Sequence, residues 1–256
     1  MKSVILAGGL GTRLREETEW RPKPMVPIGE MPIIWHIMKN LSYWELKEFV
    51  IPLGYKGHMI KEYFYNYLKL AGNVTLDFSN SEVARINSHY EIENWRIELV
   101  ETGSSTMTGG RLFQLRDIIG KDIFLCTYGD GLSDVHVKDL VNFHRAHGKI
   151  ATVTAAHPTS RFGSLTLGED SQVIGFQEKP LDQSWVNAGF FIFDYRIFDY
   201  LSDTSILEKD PLENLVKDEQ IYAFKHEGFW KPMDTLREMQ ELNHIWESGF
   251  APWKNW

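Results

Sequence analysis

The chain has 256 residues, of which 43% are apolar, so it can bury one large core, and a single domain over 1–256 is expected. Its 27 basic and 35 acidic side chains give a formal net charge of -8, which argues against a protein that coats nucleic acid or an anionic membrane. A lone cysteine, Cys126, excludes a disulfide framework and a thiolate zinc site, and no apolar run reaches the roughly 18 residues of a membrane span. We therefore expect a cytoplasmic protein without a nucleic-acid or membrane partner.

Short runs typical of β-strands alternate along the chain with segments of helical spacing. Helical spacing of apolar residues occurs at 34–41, 60–67 and 137–144. This alternation predicts an α/β, Rossmann-like fold with a mostly parallel central sheet and helices on both faces, in which ligands bind beyond the carboxyl ends of the strands. The predicted strands are 3–7, 48–53, 74–78, 96–101, 122–127, 150–156, 164–167, 173–177, 186–194 and 220–225.

Two further segments stand out in the pattern. A C-terminal helix is predicted at 235–248, because Thr235 and Glu238 have the spacing of a capping box and Gly249 follows as a stop signal. The segment 79–94 is long and polar, so we predict an exposed excursion that a neighbouring subunit can reach.

A glycine-rich turn directly follows the first predicted strand. Counting from Gly9, a dinucleotide fingerprint would need glycine where Leu14 stands, and a GxxxxGK[ST] loop fails because no lysine follows Gly11. Backbone N–H groups of such a turn can face an anion, and Thr12 and Arg13 add a hydroxyl and a positive charge. A triphosphate cradle and a plain strand-to-helix turn are both compatible with these eight residues: Leu6, Ala7, Gly8, Gly9, Leu10, Gly11, Thr12 and Arg13.

Lys23 lies between two prolines a few residues later. The prolines favour an extended segment, so the ammonium is presented in a fixed direction. A lysine in a surface loop is usually only solvated, but next to a phosphate cradle it is a candidate phosphate contact.

At this point the chain resembles the sugar-phosphate nucleotidylyltransferases, and within them the glucose-1-phosphate cytidylyltransferases. LAGGLGTRL followed by KPMV is the signature of the wider family. The closer similarity lies in PIIWHIMK at 32–39, GYKG at 54–57, SSTMTGGRL at 104–112, TYGDG at 127–131, RFGSL at 161–165, FQEKP at 176–180, FWKPMDTLRE at 229–238 and the final APWKNW. The resemblance implies the nucleotide-diphospho-sugar transferase fold and a tendency to form homo-oligomers.

The reaction that the resemblance implies is transfer of a nucleotidyl group from CTP to glucose 1-phosphate, with CDP-glucose and pyrophosphate as products. The attacking phosphate has a second pKa near 6 and is mostly dianionic at pH 7, so direct attack needs no general base and no covalent intermediate. Bringing two polyanions together instead requires metal, lysine and arginine. Arg13, Lys23 and Asp130 are the candidate catalytic residues.

Two aspartates follow probable strand ends or precede a helix. Asp130 lies between two glycines after an apolar run, and Asp234 precedes the capped C-terminal helix. Each could be structural, since Asp-Gly is a common turn and a helix start favours an acidic residue. In the family the two matching aspartates hold one Mg²⁺, so the resemblance implies Mg²⁺ as cofactor with Asp130 and Asp234 as ligands.

The segment TMTGGR at 106–111 is the candidate reader of the base. Consecutive glycines allow a flat ring to approach the backbone, and Arg111 can contact phosphate or base, although the segment could equally be a loop that leads into a helix. By analogy with the family, Lys23, Thr106, Gly110, Arg111 and Gly129 join residues 6–13 in the nucleotide site.

The acceptor side is inferred from three further motifs. Glu178 and Lys179 end a predicted strand and would bind a sugar hydroxyl and the acceptor phosphate, Asn187 would read another hydroxyl, and Gly163 lies in the matching RFGSL motif. The glucose-specific branch usually has two glycines after the asparagine, whereas this chain has Ala188 and then Gly189. Another sugar 1-phosphate, or a non-sugar phosphate such as a phosphoglutamine-type capsule precursor, therefore stays open as the acceptor.

Two other functions fit these residues less well. A catalytically silent sensor of nucleotide sugars is disfavoured because Arg13, Lys23, Asp130 and Asp234 are all retained, and a nicotinamide oxidoreductase by the failed fingerprint. Cys126, inside an apolar run, is interpreted as a core residue.

Overall fold

The computed structural model describes residues 1–70, 74–77, 79, 82–85, 93–158, 164–177 and 184–256. The strands are β1 Ser3–Leu6, β2 Pro27–Ile28, β3 Met31–Pro32, β4 Glu48–Leu53, β5 Val74–Asp77, β6 Glu82–Arg85, β7 Arg96–Glu101, β8 Phe124–Tyr128, β9 Gly131–Ser133, β10 Ala151–Ala156, β11 Ser164–Leu167, β12 Val173–Gln177, β13 Val186–Phe193, β14 Ile221–His226 and β15 Trp230–Pro232. The α-helices are α1 Arg15–Thr18, α2 Ile33–Tyr43, α3 Gly57–Leu70, α4 Thr108–Phe113, α5 Arg116–Ile119, α6 Val137–His147, α7 Asp210–Lys217 and α8 Leu236–Glu247. Short 3-10 helices cover Thr12–Leu14, Lys23–Met25 and Tyr195–Tyr200.

Seven strands form the central sheet in the order β14-β10-β13-β8-β1-β4-β7. β1 runs parallel to both of its neighbours, β4 and β8, and β4 runs parallel to β7. Only β13 is reversed, since it is antiparallel to β8 and to β10. The predicted mostly parallel sheet is confirmed. Because β13 is reversed, its first residues lie at the same edge of the sheet as the carboxyl ends of the other strands.

Side chains of the central strands alternate between two apolar clusters, one on each face of the sheet. Ile5 and Leu125 belong to one cluster, which α2, α3, α6 and α8 cover, whereas Val4 and Cys126 belong to the other, which α4, α5 and α7 cover. A strand buried on both faces reads as a continuous apolar run, as 124–126 does. Cys126 is fully buried in the second cluster, in agreement with the prediction of a core residue.

The end of the chain is built as the capping pattern predicts. The Thr235 hydroxyl accepts a hydrogen bond from the Glu238 N–H, and the Glu238 carboxylate accepts one from the Thr235 N–H at 2.8 Å. Most of the predicted excursion at 79–94 lies outside the described residues. Within it, β6 pairs antiparallel with β5. In the described part of the chain, no helix is long and apolar enough to cross a membrane.

Candidate active site

A cavity of about 450 Å³ lies at the carboxyl end of β1, where the predicted phosphate cradle follows the strand. Strands β1, β8, β4 and β7 all end near this point because they are neighbours in the sheet. The cavity is lined by Leu6, Ala7, Gly8, Gly9, Leu10, Gly11, Thr12, Arg13, Lys23, Pro24, Ser104, Ser105, Thr106, Met107, Thr108, Arg111, Tyr128, Gly129, Asp130 and Asp234. The residues predicted for the nucleotide site, apart from Gly110, are therefore brought together here.

The glycine-rich turn has a backbone that a larger residue could not adopt at Gly11. Its φ is +63°, and a Cβ would lie 2.6 Å from the Thr18 methyl group. Thr18 fixes the turn further, because its hydroxyl lies within hydrogen-bonding distance of the carbonyl oxygens of Gly11 and Leu14, at 3.0 and 2.9 Å. In the described part of the chain, the N–H groups of Leu10 and Gly11 have no protein acceptor. Free N–H groups at such a turn suit an anion.

Lys23 is the centre of a charged cluster beside this turn. Its Nζ lies 2.5 Å from Asp130 Oδ2 and 2.6 Å from Asp234 Oδ1, and Arg13 Nη1 lies 2.6 Å from the second oxygen of Asp234. Only 11% of the Lys23 side chain is exposed, whereas that of Arg13 is 72% exposed. Burial alone lowers the pKa of Lys23, but the two carboxylates outweigh this effect and raise the pKa above its ordinary value. Lys23 is thus a buried cation held between two carboxylates, whereas the Arg13 side chain is largely exposed to solvent.

The two aspartates meet because two three-residue strands pair next to them. β9 follows Asp130 and β15 precedes Asp234, and Gly131 lies opposite Pro232 in the antiparallel ladder. A hydrogen bond of 2.8 Å from the Met233 N–H to the Asp130 carbonyl extends this pairing. The Asp234 N–H donates to Glu238 at the start of α8, so the loop has little freedom. These hydrogen bonds fix the backbone at Asp130 and Asp234, which keeps the two residues next to each other.

Glycine at position 129 permits the strand end to approach the cradle. The Gly129 N–H donates to the Leu6 carbonyl at 3.0 Å, and a Cβ would lie 2.9 Å from the Pro24 ring. β8 and β1 can therefore stay in contact up to the point where Asp130 begins.

Arg111 is buried, with 3% of its surface exposed, and its guanidinium lies across three adjacent strand ends. Burial lowers the pKa of Arg111. The acceptors of its hydrogen bonds are the carbonyl oxygens of Leu53 and Gly103 at 2.8 Å, Gly8 at 3.0 Å and Ser104 at 3.4 Å, and the Thr102 hydroxyl at 2.7 Å. The guanidinium thus joins the ends of β1, β4 and β7 and the loop 103–106, which forms one wall of the cavity.

Two glycines, at the ends of the adjacent strands β1 and β4, lie against the Arg111 guanidinium. A Cβ on Gly8 would lie 2.2 Å from Arg111 Cζ, and a Cβ on Gly54 would lie 2.4 Å from Nη2. The second glycine of the GYKG motif, Gly57, is crowded differently, by the Leu53 side chain at 2.8 Å. Gly8 and Gly54 are therefore required by the position of the Arg111 side chain.

Gly110 has a different environment from the one its position in TMTGGR suggests. A Cβ on Gly110 would lie 2.1 Å from the Asp203 carbonyl oxygen, and a Cβ on Gly109 would lie 2.7 Å from the Ser205 Cβ. The Gly110 N–H donates to the Ser205 carbonyl at 3.0 Å. The double glycine therefore admits the segment 203–208 against the start of α4, where the sequence had suggested access for a flat ring. Gly110 does not line the cavity.

A second cavity of about 420 Å³ opens on the other side of the carboxylates. Asn187, one of the residues predicted to bind the acceptor, lines this cavity because the reversal of β13 brings its first residues to this edge. Glu178, Lys179 and Gly163 lie outside the described residues. The lining residues are Arg13, Thr127, Tyr128, Asp130, Gly131, Asn187, Ala188, Glu208, Trp230, Pro232 and Asp234.

The side chains of this second cavity that were not predicted include Tyr128, Glu208 and Trp230. Tyr128 is part of the TYGDG motif, but no motif marks Glu208, which precedes α7. The Tyr128 hydroxyl donates to Glu208 Oε1, and Trp230 Nε1 donates to the Ala188 carbonyl at 2.8 Å. Burial, and then the Glu208 charge, raise the pKa of Tyr128, so its phenol stays a neutral donor.

The residue pair after Asn187 has one constrained and one tolerant position. Gly189 has a φ of +79°, and a Cβ there would lie 2.4 Å from the Tyr128 ring. Ala188 is buried, with 4% of its surface exposed, and it fits beside the cavity without positive φ. Of these two positions, only 189 requires glycine, and this chain has glycine there.

The carboxylates of Asp130 and Asp234 are the oxygen ligands that Mg²⁺ prefers. In the described ranges, no group of three or more His, Cys, Asp or Glu side chains could hold a metal ion. Mg²⁺ is usually bound by one or two carboxylates together with water and substrate phosphates, so two converging carboxylates fit this ion.

A family model described as nucleotidyl transferase matches residues 2–245. The chain belongs to the nucleotidyl transferase family. Two members of the family, both named glucose-1-phosphate cytidylyltransferase, come from Salmonella typhi and Salmonella typhimurium; each is 48% identical over 260 residues, which cover 100% of this chain and 100% of the relative. Among solved structures, HddC from Yersinia pseudotuberculosis has a TM-score of 0.69 at 21% identity, and the match covers 96% of this chain and 99% of that one, so the two chains share a fold.

Proposed function

We propose that this protein transfers the cytidylyl group of CTP to glucose 1-phosphate and produces CDP-glucose and pyrophosphate. The observation that carries the proposal is the pair of cavities that meet at Arg13, Asp130 and Asp234, which line both. Such an arrangement suits a reaction between two bound phosphates. The 48% sequence identity, over the full length, to relatives named glucose-1-phosphate cytidylyltransferase supports this pair of substrates.

The triphosphate of CTP would lie against the glycine-rich turn. Free N–H groups of Leu10 and Gly11 and the exposed Arg13 guanidinium would bind its oxygens. Backbone donors that are fixed before the substrate arrives stabilise developing negative charge without reorganisation. The loop 103–106, which the Arg111 guanidinium holds, would form the wall against which the cytosine lies, with Thr106 facing it.

Glucose 1-phosphate would occupy the second cavity. Its phosphate would point towards Arg13 and the two aspartates, and its ring hydroxyls would meet Asn187, Tyr128 and Glu208. A phosphate oxygen then attacks the α-phosphorus of CTP, the bond to the β-phosphate breaks, and pyrophosphate leaves. The acceptor is already ionised at pH 7, so no side chain needs to remove a proton.

Asp130 and Asp234 would hold Mg²⁺, which when bound would supply positive charge at the reacting phosphates. Lys23 contacts both carboxylates. Its ammonium therefore limits the repulsion between Asp130 and Asp234, and Lys23 also lines the cavity proposed for the triphosphate. This arrangement reduces the repulsion between the two negatively charged substrates, which is the main electrostatic barrier to the reaction.

The decisive experiment is release of pyrophosphate in the presence of Mg²⁺. CTP, UTP, dTTP, ATP and GTP are crossed against glucose 1-phosphate and a panel of other phosphorylated metabolites, with and without chelator. We expect turnover with CTP and glucose 1-phosphate and none after chelation. Turnover with CTP and only a phosphate other than glucose 1-phosphate would contradict the assignment of the acceptor. CTP binding without turnover under any condition would contradict the enzymatic function.

The predicted homo-oligomer remains a prediction. Light scattering of the purified protein at micromolar concentration tests it, and a mass of a single 29.7 kDa chain would contradict it.

A further inference from the structure

Glu208 links the two cavities through a short chain of hydrogen bonds. Its Oε1 accepts from the Tyr128 hydroxyl, and its Oε2 accepts from the Thr108 hydroxyl at 2.7 Å. The Thr108 oxygen accepts in turn from the Leu207 N–H at 3.0 Å. Both oxygens of this carboxylate are therefore oriented, although the side chain is exposed to solvent.

The two partners of Glu208 belong to different parts of the site. Thr108 is the first residue of α4 and lines the nucleotide cavity, whereas Glu208 is not among the residues that line it. Glu208 lines the acceptor cavity, where Thr108 does not. Tyr128 lines both cavities. The carboxylate in the acceptor cavity is thus positioned by a hydroxyl that belongs to the nucleotide side.

Close packing joins these parts into one unit. Gly109 and Gly110 leave no room between α4 and residues 203–205, as described above, and the Gly110 N–H donates to Ser205. The hydrogen bond between Thr108 and Glu208 closes the same interface at its other end. The start of α4 and the segment 203–208 therefore hold a fixed distance between the two cavities.

The charge of Glu208 is available to a ligand. No Lys, Arg or His side chain in the described ranges forms an ion pair with it. A carboxylate accepts hydrogen bonds at about four positions, and the two neighbouring hydroxyls occupy two of them. The remaining positions can accept from hydroxyl groups of a sugar, which a phosphorylated sugar in the second cavity would present.

We propose that Thr108 is a positioning residue for the acceptor: its hydroxyl holds the Glu208 carboxylate in the orientation that receives a hydroxyl group of the phosphorylated sugar. This inference rests on the proposed function, since it takes the second cavity as the acceptor site. It predicts that a side chain of the nucleotide cavity controls the affinity for the other substrate.

The test uses Thr108→Val, which removes the hydroxyl and keeps the shape, and Thr108→Ser, which keeps the hydroxyl. For Thr108→Val we expect a roughly 3- to 10-fold rise in KM for glucose 1-phosphate, the effect of one hydrogen bond, with KM for CTP within about twofold. Thr108→Ser should restore the acceptor KM to within about twofold of wild type. A matched control is Thr204→Val, because Thr204 is exposed on the same segment and its hydroxyl meets only Ser202 among described residues.

A double-mutant cycle with Glu208→Ala identifies the route of the effect. If Thr108 acts through Glu208, the acceptor KM of the double variant equals that of Glu208→Ala, because no carboxylate remains to be positioned. Effects that multiply would overturn the proposal, as would a rise in KM for CTP instead of the acceptor. The thermal midpoint of each variant, measured without ligand, separates these outcomes from loss of the fold.

Failure of the proposed function has a different signature. In that case the wild-type protein itself does not turn over glucose 1-phosphate, and the cycle is run with the acceptor that the phosphate panel identifies. Wild-type turnover combined with an unchanged acceptor KM in Thr108→Val would contradict only the assignment of Thr108.

Discussion

Replacement of Gly8 by alanine tests whether Arg111 holds the strand ends together. The new Cβ would lie 2.2 Å from Arg111 Cζ and 2.4 Å from Nε, so the guanidinium must retreat by more than about 1 Å to reach ordinary contact distance. Its hydrogen bonds to Gly8 and Leu53, now 3.0 and 2.8 Å, would then be too long. Two lost hydrogen bonds to a buried charged group cost about 3 kcal/mol.

The assay is chemical unfolding of the ligand-free protein, followed by tryptophan fluorescence. We expect Gly8→Ala to lower the free energy of unfolding by about 3 kcal/mol, and Tm by about 6–12 °C for a chain of this size. Gly54→Ala should have an effect of similar size, because its Cβ would meet the same guanidinium from β4 at 2.4 Å.

Gly9→Ala is the matched control for this experiment. Gly9 lies in the same turn, its φ is not positive, and a Cβ there would have nothing within 4 Å. Its effect on stability should stay within about 0.5 kcal/mol. Equal stability of the Gly8→Ala and Gly9→Ala variants would refute the reasoning, since it would mean that Arg111 can move without losing its hydrogen bonds.

Three further predictions concern the metal site, pH and the acceptor pocket. Asp130→Asn should lower kcat at least about 100-fold in the pyrophosphate-release assay, because it removes a carboxylate at the reacting phosphates, while the circular dichroism spectrum stays unchanged. Burial lowers the pKa of His36 to about 4 in the folded protein. The contribution of His36 to the free energy of unfolding should therefore be complete above about pH 6.5, where the unfolded imidazole is neutral, and should fall by up to about 3 kcal/mol as the pH decreases towards 4. His36→Gln should reduce this pH dependence in unfolding measurements. Ala188→Gly should change the acceptor KM less than about threefold, whereas Gly189→Ala, which has a φ of +79° and meets the Tyr128 ring, should raise it at least about tenfold.

Each of these predictions has an outcome that contradicts it. Near-normal turnover of Asp130→Asn would remove the metal assignment. An unchanged slope of stability against pH in His36→Gln would place the titration at another group. A large gain in the use of glucose 1-phosphate by Ala188→Gly would mean that the methyl group obstructs the acceptor.

Local sequence patterns determined most of the sheet. Four of the predicted strands, 48–53, 96–101, 164–167 and 173–177, have the observed bounds. The first is buried on both faces of the central sheet and therefore reads as an apolar run, whereas 164–167 and 173–177 pair with each other outside that sheet and are marked by residues that favour strands. The glycine-rich turn and the capping box were also legible, since each depends on residues close together in the chain. The short strands β9 and β15 were missed, because three residues carry too little pattern.

Only the tertiary structure decided which distant residues meet. The pairing of β9 with β15 brings Asp130 and Asp234 to the same lysine, and neither strand is apparent from its own residues. Likewise, Arg111 lines the predicted nucleotide cavity, but only the order of β1, β4 and β7 shows that carbonyl oxygens surround its guanidinium. Local patterns record the burial of each segment, whereas these contacts arise from strand order and pairing across the whole chain, which the spacing of neighbouring residues does not encode.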